Sequence, residues 1–247
     1  MNANRIPQAV NAFRLPVGTD LDTGEEVLLD FDANPHLLTA GWTGGGITTL
    51  LRRVAASAIG SGAVVTVIDP KRAGFADLAG VPGVTIARTP AEMAEEIKVF
   101  HAEVMHRYTS GHHGPEGPRK VLVVDELTQL LAWIKSGGNA DLDAAAQLLR
   151  PIVLLGRYVG CHLAVDVTHE TLTWFGLDKS ALRNVATIAM GRPSRAVLSR
   201  LGIDPALASG QRGTGVLRLP GDKGRRLAVG YLADTELRAL ALGVIHS

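Results

Sequence analysis

The sequence predicts an α/β fold, a mostly parallel sheet covered by helices on both faces. Three observations carry this. Short continuous apolar runs such as Ala63–Ile68 and Val121–Val124 have the length of strands buried on both faces. Stretches with helical spacing alternate with such runs through residues 37–190. One apolar run, Leu37–Ala40, feeds a glycine-rich turn, Gly41-Trp42-Thr43-Gly44-Gly45-Gly46, and a helix opens just beyond it.

In order, residues 1–14 read as an N-terminal arm and 15–247 as one domain, a length sufficient for one large core. From Leu15 to Phe31 the pattern gives an N-terminal hairpin turning near Asp22-Thr23-Gly24. The helix from Thr48 carries Leu50, Leu51, Val54, Ala55 and Ile59 and stops at Gly60-Ser61-Gly62. Val84–Ala87 is a shorter strand. Thr89-Pro90-Ala91-Glu92 is a capping box with proline at the first helical position, so a helix runs from there to residue 108. Thr109–Arg119 is a loop rich in glycine, histidine and proline. After Val121–Val124, Asp141 is expected to cap a helix that reaches Tyr158 and ends at Gly160. His162–Val165 and Ala186–Met190 are further strands. The tail forms a C-terminal antiparallel pair, Gly215–Leu219 and Arg226–Tyr231, and a closing helix follows Asp234. No internal repeat interrupts this single-domain reading.

Composition removes several classes of function. The formal net charge is +1, so any nucleic-acid contact must come from local basic clusters rather than a global field. The excess of arginine over lysine, 19 to 6, reads as codon usage of a GC-rich genome and decides little about function. A single cysteine, Cys161, allows no internal disulfide and fits a reducing cytosol. No apolar run reaches the ~18 residues of a membrane span, and Met1–Arg5 lacks the apolar core of a signal peptide. The expectation is a cytoplasmic protein with no membrane association.

The chemistry centres on the glycine turn. A phosphate-binding P-loop reads G-x-x-x-x-G-K-[ST]. Gly41 and Gly46 stand at that spacing, Thr48 and Thr49 open the helix, and Thr48 occupies the position whose hydroxyl holds Mg²⁺. The lysine position holds Ile47. Such turns also serve tight packing alone. Downstream, Asp125-Glu126 closes a buried strand as a Walker B pair does, the first carboxylate for Mg²⁺ and the second for the attacking water; otherwise the two are surface acids capping the next helix. Neither His112-His113 nor Cys161-His162 has zinc-ligand spacing, which leaves Mg²⁺ as the expected metal.

These segments, in this order, resemble the FtsK/SpoIIIE family of hexameric DNA translocases. PHLLTAGWTGGGITTLLRR is similar to the family's Walker A region, P-H-L-L-x-A-G-x-T-G-S-G-K-S. VVTVIDPKRAGFADLAGVPGV carries its I-D-P-K at Ile68–Lys71, and KVLVVDELTQLL is similar to its Walker B. LLGRYVGCHLAVDVTHE resembles G-R-x-x-G-x-H-L-x-x-A-T-Q-R-P, and SRAVLSRLGID through Gly213 follows the family's tail. The likeness covers residues 15–240. It implies a RecA-like P-loop fold, ATP and Mg²⁺ as cofactors, double-stranded DNA bound without sequence preference, and a homo-oligomeric ring.

Residue by residue, the resemblance places nucleotide on Gly41, Trp42, Thr43, Gly44, Gly45, Gly46, Ile47, Thr48 and Thr49, and metal on Thr48 and Asp125. Asp125 and Glu126 would be catalytic, with Arg157 acting as an arginine finger on a neighbour's nucleotide or simply complementing a helix end. Thr168 stands where the family keeps a glutamine, and His169 where it keeps an arginine. Arg192, Arg195 and Arg200 are candidate DNA contacts; His112, His113, Arg119 and Lys120 form a second basic cluster, better read as a solvated loop. Lys71, Arg52 and Arg53 are possible substitutes for the missing cation. The expected function is a translocase-type subunit with weakened nucleotide binding and hydrolysis. The alternatives are a catalytically dead pseudo-ATPase serving as a DNA- or partner-binding assembly subunit, and a working motor in which Ile47 is an engineered change.

Overall fold

The structure, a computed structural model, describes residues 12–111, 117–137, 139–176 and 185–244. Ten strands form one sheet in the order β2-β1-β10-β9-β8-β3-β7-β6-β4-β5. The strands are β1 (Arg14–Asp20), β2 (Glu26–Asp30), β3 (His36–Gly41), β4 (Val64–Ile68), β5 (Val84–Ala87), β6 (Lys120–Val124), β7 (Cys161–Asp166), β8 (Ala186–Met190), β9 (Thr214–Arg218) and β10 (Arg225–Ala228). From β8 to β5 every neighbouring pair is parallel. From β8 outward to β2 every pair is antiparallel. The fold is therefore the expected RecA-like one, with the N-terminal hairpin and the C-terminal pair extending one edge.

Helices cover both faces because the strands are apolar on both. On one face Leu38, Leu122, Val124, Leu163 and Val165 join a core. It is covered by α2 (Pro90–Thr109), α3 (Leu127–Gly137), α4 (Ala140–Gln147), α5 (Leu149–Leu155), α6 (His169–Trp174) and α7 (Arg195–Leu201). On the other, Leu37, Val65, Val67, Val121, Val123 and Ala164 pack with α1 (Ile47–Gly60), α8 (Asp234–Ala241) and the hairpin. No helix among the described residues is long and apolar enough to cross a membrane.

The capping box at α2 forms as expected: Thr89 Oγ1 accepts from Glu92 N–H and Glu92 accepts from Thr89 N–H. The long helix expected from Asp141 to Tyr158 does not form. Asn139, not Asp141, caps α4, accepting from the Leu142 N–H at 3.2 Å. The chain then breaks at Leu148 into α5 and a 3₁₀ turn, Gly156–Val159. Pro151 is the cause, since its ring cannot coexist with a helical carbonyl at Gln147, four residues earlier, and it donates no N–H. The basic cluster also dissolves. Arg119 holds Asp32 at 2.8 Å and lies over the Phe13 ring, and Lys120 pairs with Glu103; His112 and His113 lie outside the described residues.

Two buried histidines brace β3 against β7. His36 Nδ1 accepts from the Leu163 N–H and His162 Nδ1 meets the Pro35 carbonyl, both at 3.1 Å, with His162 packed against the rings of both Phe13 and Phe31. Burial, with the His162 charge adding, pushes His36 down to about 3; burial, aided by Arg119 and opposed by the Pro35 bond and Asp32, pushes His162 down to about 4. The folded chain keeps both neutral while the unfolded chain takes up protons below about pH 6.5. Their contribution to stability is thus present above that pH and is lost as pH falls through it, with a slope of up to about 1.4 kcal/mol per pH unit for each. Urea unfolding at several pH values should show His162→Gln gaining on the wild type between pH 7 and 4.5. A difference that stays constant would sink this account.

Candidate functional site

The parallel strands β3, β6 and β7 end on one side of the sheet, and the loops there enclose a cleft of about 380 Å³. Its floor is the glycine turn. Gly45 N–H bonds the Trp42 carbonyl at 2.9 Å, and Gly46 enters α1 at φ 111°, a conformation strained for any side chain. No side chain caps α1 and no acid lies in its first turn, so its leading N–H groups and positive dipole end face the cleft unclaimed. That arrangement favours an anion.

Across the cleft, Thr48 Oγ1 donates to Asp125 Oδ2 at 3.0 Å. Gly74 permits this meeting: a Cβ there would stand 3.0 Å from Thr48 Cγ2 and 3.4 Å from Asp125 Oδ2. Asp125 is 3 % exposed, and its other oxygen has no hydrogen-bond partner. Burial pushes its carboxyl up to about 6, against the Thr48 bond and with the charges of Glu126 and Asp69 adding to the rise. A buried carboxylate oxygen without a partner beside a hydroxyl is a donor set that suits Mg²⁺. Glu126 follows at φ 52°, an uncommon backbone for a non-glycine residue, and its carboxylate pairs with Lys71 at 2.5 Å.

Most of the expected residues come together. Gly41, Trp42, Thr43, Gly44, Gly46, Ile47, Thr48, Thr49, Asp125, Glu126 and Thr168 all line the cleft. Gly45 does not; its carbonyl instead accepts from the Gly213 N–H at 3.1 Å. Thr168 caps α6 and bonds Thr171. Ile47 packs partly into the core beside Gly41. The proposed substitute cations are already paired: Arg52 with Asp77 and Asp234, Arg53 with the Gly230 carbonyl, and Lys71 with the cleft-lining Glu126. The Arg52 side chain is only 13 % exposed.

Arg157 is not in the cleft. It precedes β7 while Asp166 ends it, so the two lie at opposite ends of the strand. Arg192 and Arg195 are exposed, whereas Arg200 donates to Thr173 Oγ1 and the Leu172 carbonyl and ties α7 to α6. Three further lining residues, Thr128, Asp166 and Arg212, lie within the resembling segments without a motif role of their own. Asp166 is 9 % exposed; burial first, then the Asp125 and Glu126 charges, push it up to about 8, with Lys71 opposing.

No protein-family model matches the chain. Among curated proteins it is similar to the DNA translocase FtsK of Listeria monocytogenes, 25% identical over 270 residues that cover 94% of this chain and 34% of that protein. It is 47% identical over 145 residues to the FtsK domain-containing protein YdcQ of Bacillus subtilis, covering 55% of this chain and 30% of the relative. Among solved structures, the pCW3 conjugation coupling protein TcpA, a monomer form with ATPγS, superimposes with TM-score 0.73 at 20% identity, covering 95% of this chain and 70% of that one. The chain is thus similar, at low identity over nearly its whole length, to FtsK/SpoIIIE DNA translocases, and its fold is that of P-loop ATPases. It spans about a third of the length of the curated relatives it matches.

Asp166 gives a direct check on the cleft's electrostatics. Its raised pKa means that the ionised carboxylate costs the folded chain, so wild-type stability from this group falls as pH rises from about 4 to 8 and levels beyond. In a chelator-containing buffer, Asp166→Asn should unfold with about 1–3 kcal/mol more than the wild type at pH 9. The gain should close as pH falls toward 4. Equal urea midpoints at pH 9 would mean that Asp166 is solvated.

Proposed function

We propose that this chain is a translocase-type motor module that binds Mg²⁺·ATP weakly in the cleft, hydrolyses it barely or not at all, and contacts duplex DNA through its phosphate backbone. The observation that carries the reading is the Thr48–Asp125 hydrogen bond beneath an open glycine cradle. The pair that would handle the metal and the helix end that would bind the anion stand together, and the loop's lysine is missing.

The roles follow from position. The N–H groups at the head of α1 would hold the phosphate chain, and Thr48 and Asp125 would hold Mg²⁺, which supplies charge neutralisation between the phosphates. Glu126 would accept a proton from water, and its ion pair with Lys71 must loosen for it to do so. Thr168 presents a hydroxyl where a longer amide would reach further toward the terminal phosphate. Isoleucine at position 47 offers the phosphates no charge-assisted hydrogen bond, which weakens binding by ~1.5–3 kcal/mol, about 10- to 100-fold. Hydrolysis suffers more, since such interactions strengthen in the transition state. Arg157, at the far end of β7, serves a nucleotide only if a second copy presents it, so its use requires a ring-like assembly.

A second reading, a pseudo-ATPase that only organises DNA or a protein partner, is favoured by the Glu126–Lys71 pair, which occupies the candidate base. Calorimetric titration with Mg²⁺·ATP, and ATP turnover with and without duplex DNA, separate the two. Ile47→Lys should tighten ATP binding ~10- to 100-fold and recover hydrolysis to a smaller extent. An Ile47→Lys variant that folds and binds no ATP would leave the pseudo-ATPase reading standing.

Arg192 and Arg195 are exposed, and no ion pair or hydrogen bond from either side chain occurs among the described residues. Their replacement by alanine should weaken binding to every duplex sequence alike and lower the slope of log affinity against log salt by roughly one to two units. Fluorescence anisotropy at several salt concentrations checks this. A slope identical to the wild type would remove both residues from the DNA surface.

A further inference from the structure

We propose that Arg212 supplies the phosphate-binding cation that the glycine loop lacks, approaching the cleft from the β8–β9 side rather than from α1. The inference rests on the nucleotide reading above and specifies how that same site works. Arg212 lines the cleft together with Ile47, Thr48 and Asp125. Among the described lining residues it is the only arginine or lysine, set against the carboxylates of Asp125, Glu126 and Asp166.

Its stem is fixed to the glycine loop itself. The next residue, Gly213, donates its N–H to the Gly45 carbonyl at 3.1 Å and accepts from the Val229 N–H at 2.7 Å. A Cβ on Gly46 would stand 3.5 Å from Gly213 Cα, so the two backbones touch. On the other side, Ser209 Oγ bonds Thr214 Oγ1 at 2.6 Å, Thr214 Oγ1 donates to the Gln211 carbonyl at 2.8 Å, and the Thr214 carbonyl accepts from Gly191 N–H. The turn is therefore closed on itself and latched to the P-loop, with Arg212 at its tip.

The head group is free where the other candidates are not. Arg52, Arg53 and Lys71 each hold a protein acceptor. Arg212 is exposed and makes no ion pair or hydrogen bond among the described residues. An unpaired guanidinium on a rigid stem facing a helix N-terminus suits a polyphosphate, because its planar fork can hold two phosphate oxygens at once. A lysine inside the loop offers a single point charge, so the replacement alters the geometry of phosphate binding as well as its origin.

The test is calorimetry with Mg²⁺·ATP and Mg²⁺·ADP on the whole chain. Arg212→Ala should weaken ATP binding ~10- to 100-fold, while Arg212→Lys retains most of it. Lys223→Ala, which removes one charge from the exposed β9–β10 turn, should change affinity little. Ile47→Lys added to Arg212→Ala should restore at least wild-type affinity, since either cation then suffices. Unchanged urea midpoints show that the arginine variant folds, as expected for an exposed, unpaired side chain. Wild-type affinity in Arg212→Ala would overturn the inference, as would losses of equal size in Arg212→Ala and Lys223→Ala. If the wild type binds no ATP and Ile47→Lys does, the cleft reading survives and Arg212 is excluded as the substitute. If neither binds, the nucleotide reading itself falls and takes this inference with it.

Discussion

The hydrogen bond between Thr48 and Asp125 fixes where the loops at the top of the sheet can stand. α1 leaves β3, yet its first turn is tied to the end of β6, two strands away across β7. The helix must therefore lean over the intervening strand. Leu50, Leu51 and Val54 share a core with Val121, Val123 and Ala164, and this packing holds the lean in place. The absence of a side chain at Gly74 admits the loop after β4 to the same point. Three strand ends thus converge, and the glycine turn takes its shape between them.

Convergence concentrates charge. Asp125 and Asp166 are both buried beside Glu126, and both carboxyls sit well above the usual range. In the sequence pattern that this chain resembles, position 47 carries a lysine and position 166 an alanine. Isoleucine at the first and aspartate at the second move the cleft in the same direction, toward negative potential. A polyphosphate entering it must bring cations or meet them there. Without one, the cleft holds protons more readily than anions; a divalent ion favours the ionised carboxylates over those protons.

The fold is legible in the sequence because the strands are buried on both faces, so their apolar runs stand out without alternation. The capping box at Thr89 is equally plain, since it uses contacts three residues apart. The helix break at Leu148 is harder to see although its cause, Pro151, is local: the preceding apolar spacing suits a continuous helix. The cleft is legible where a motif runs along the chain, from Gly41 to Thr49 and at Asp125-Glu126. It is not legible where topology decides. Arg212 has no signal beyond two flanking glycines, Gly210 and Gly213, and the Gly45 to which its turn is latched is on a distant part of the chain. Arg157 precedes β7 in the sequence, which already puts it at the end opposite Asp166; its motif does not say whether a second copy presents it.

The substitution at position 47 is tolerated by the fold for a simple reason. A lysine there would lay its aliphatic stem along the space that the isoleucine side chain fills beside Gly41. The packing is kept and only the charged head is missing. The same logic limits what the retained residues can say. Gly46 is required by its φ, Gly45 by the Trp42 ring that would stand 2.6 Å from a Cβ there, and Thr48 and Asp125 by each other. Each would persist in a purely structural role. Function has to be read from residues that the fold does not need. Arg212 makes no protein hydrogen bond or ion pair among the described residues that would explain its charge. Glu126 occupies a backbone conformation that asparagine or glycine would adopt more easily. A free guanidinium and a strained carboxylate facing one cleft are hard to account for by packing. Under the proposed nucleotide reading, a phosphate chain with its metal would account for both.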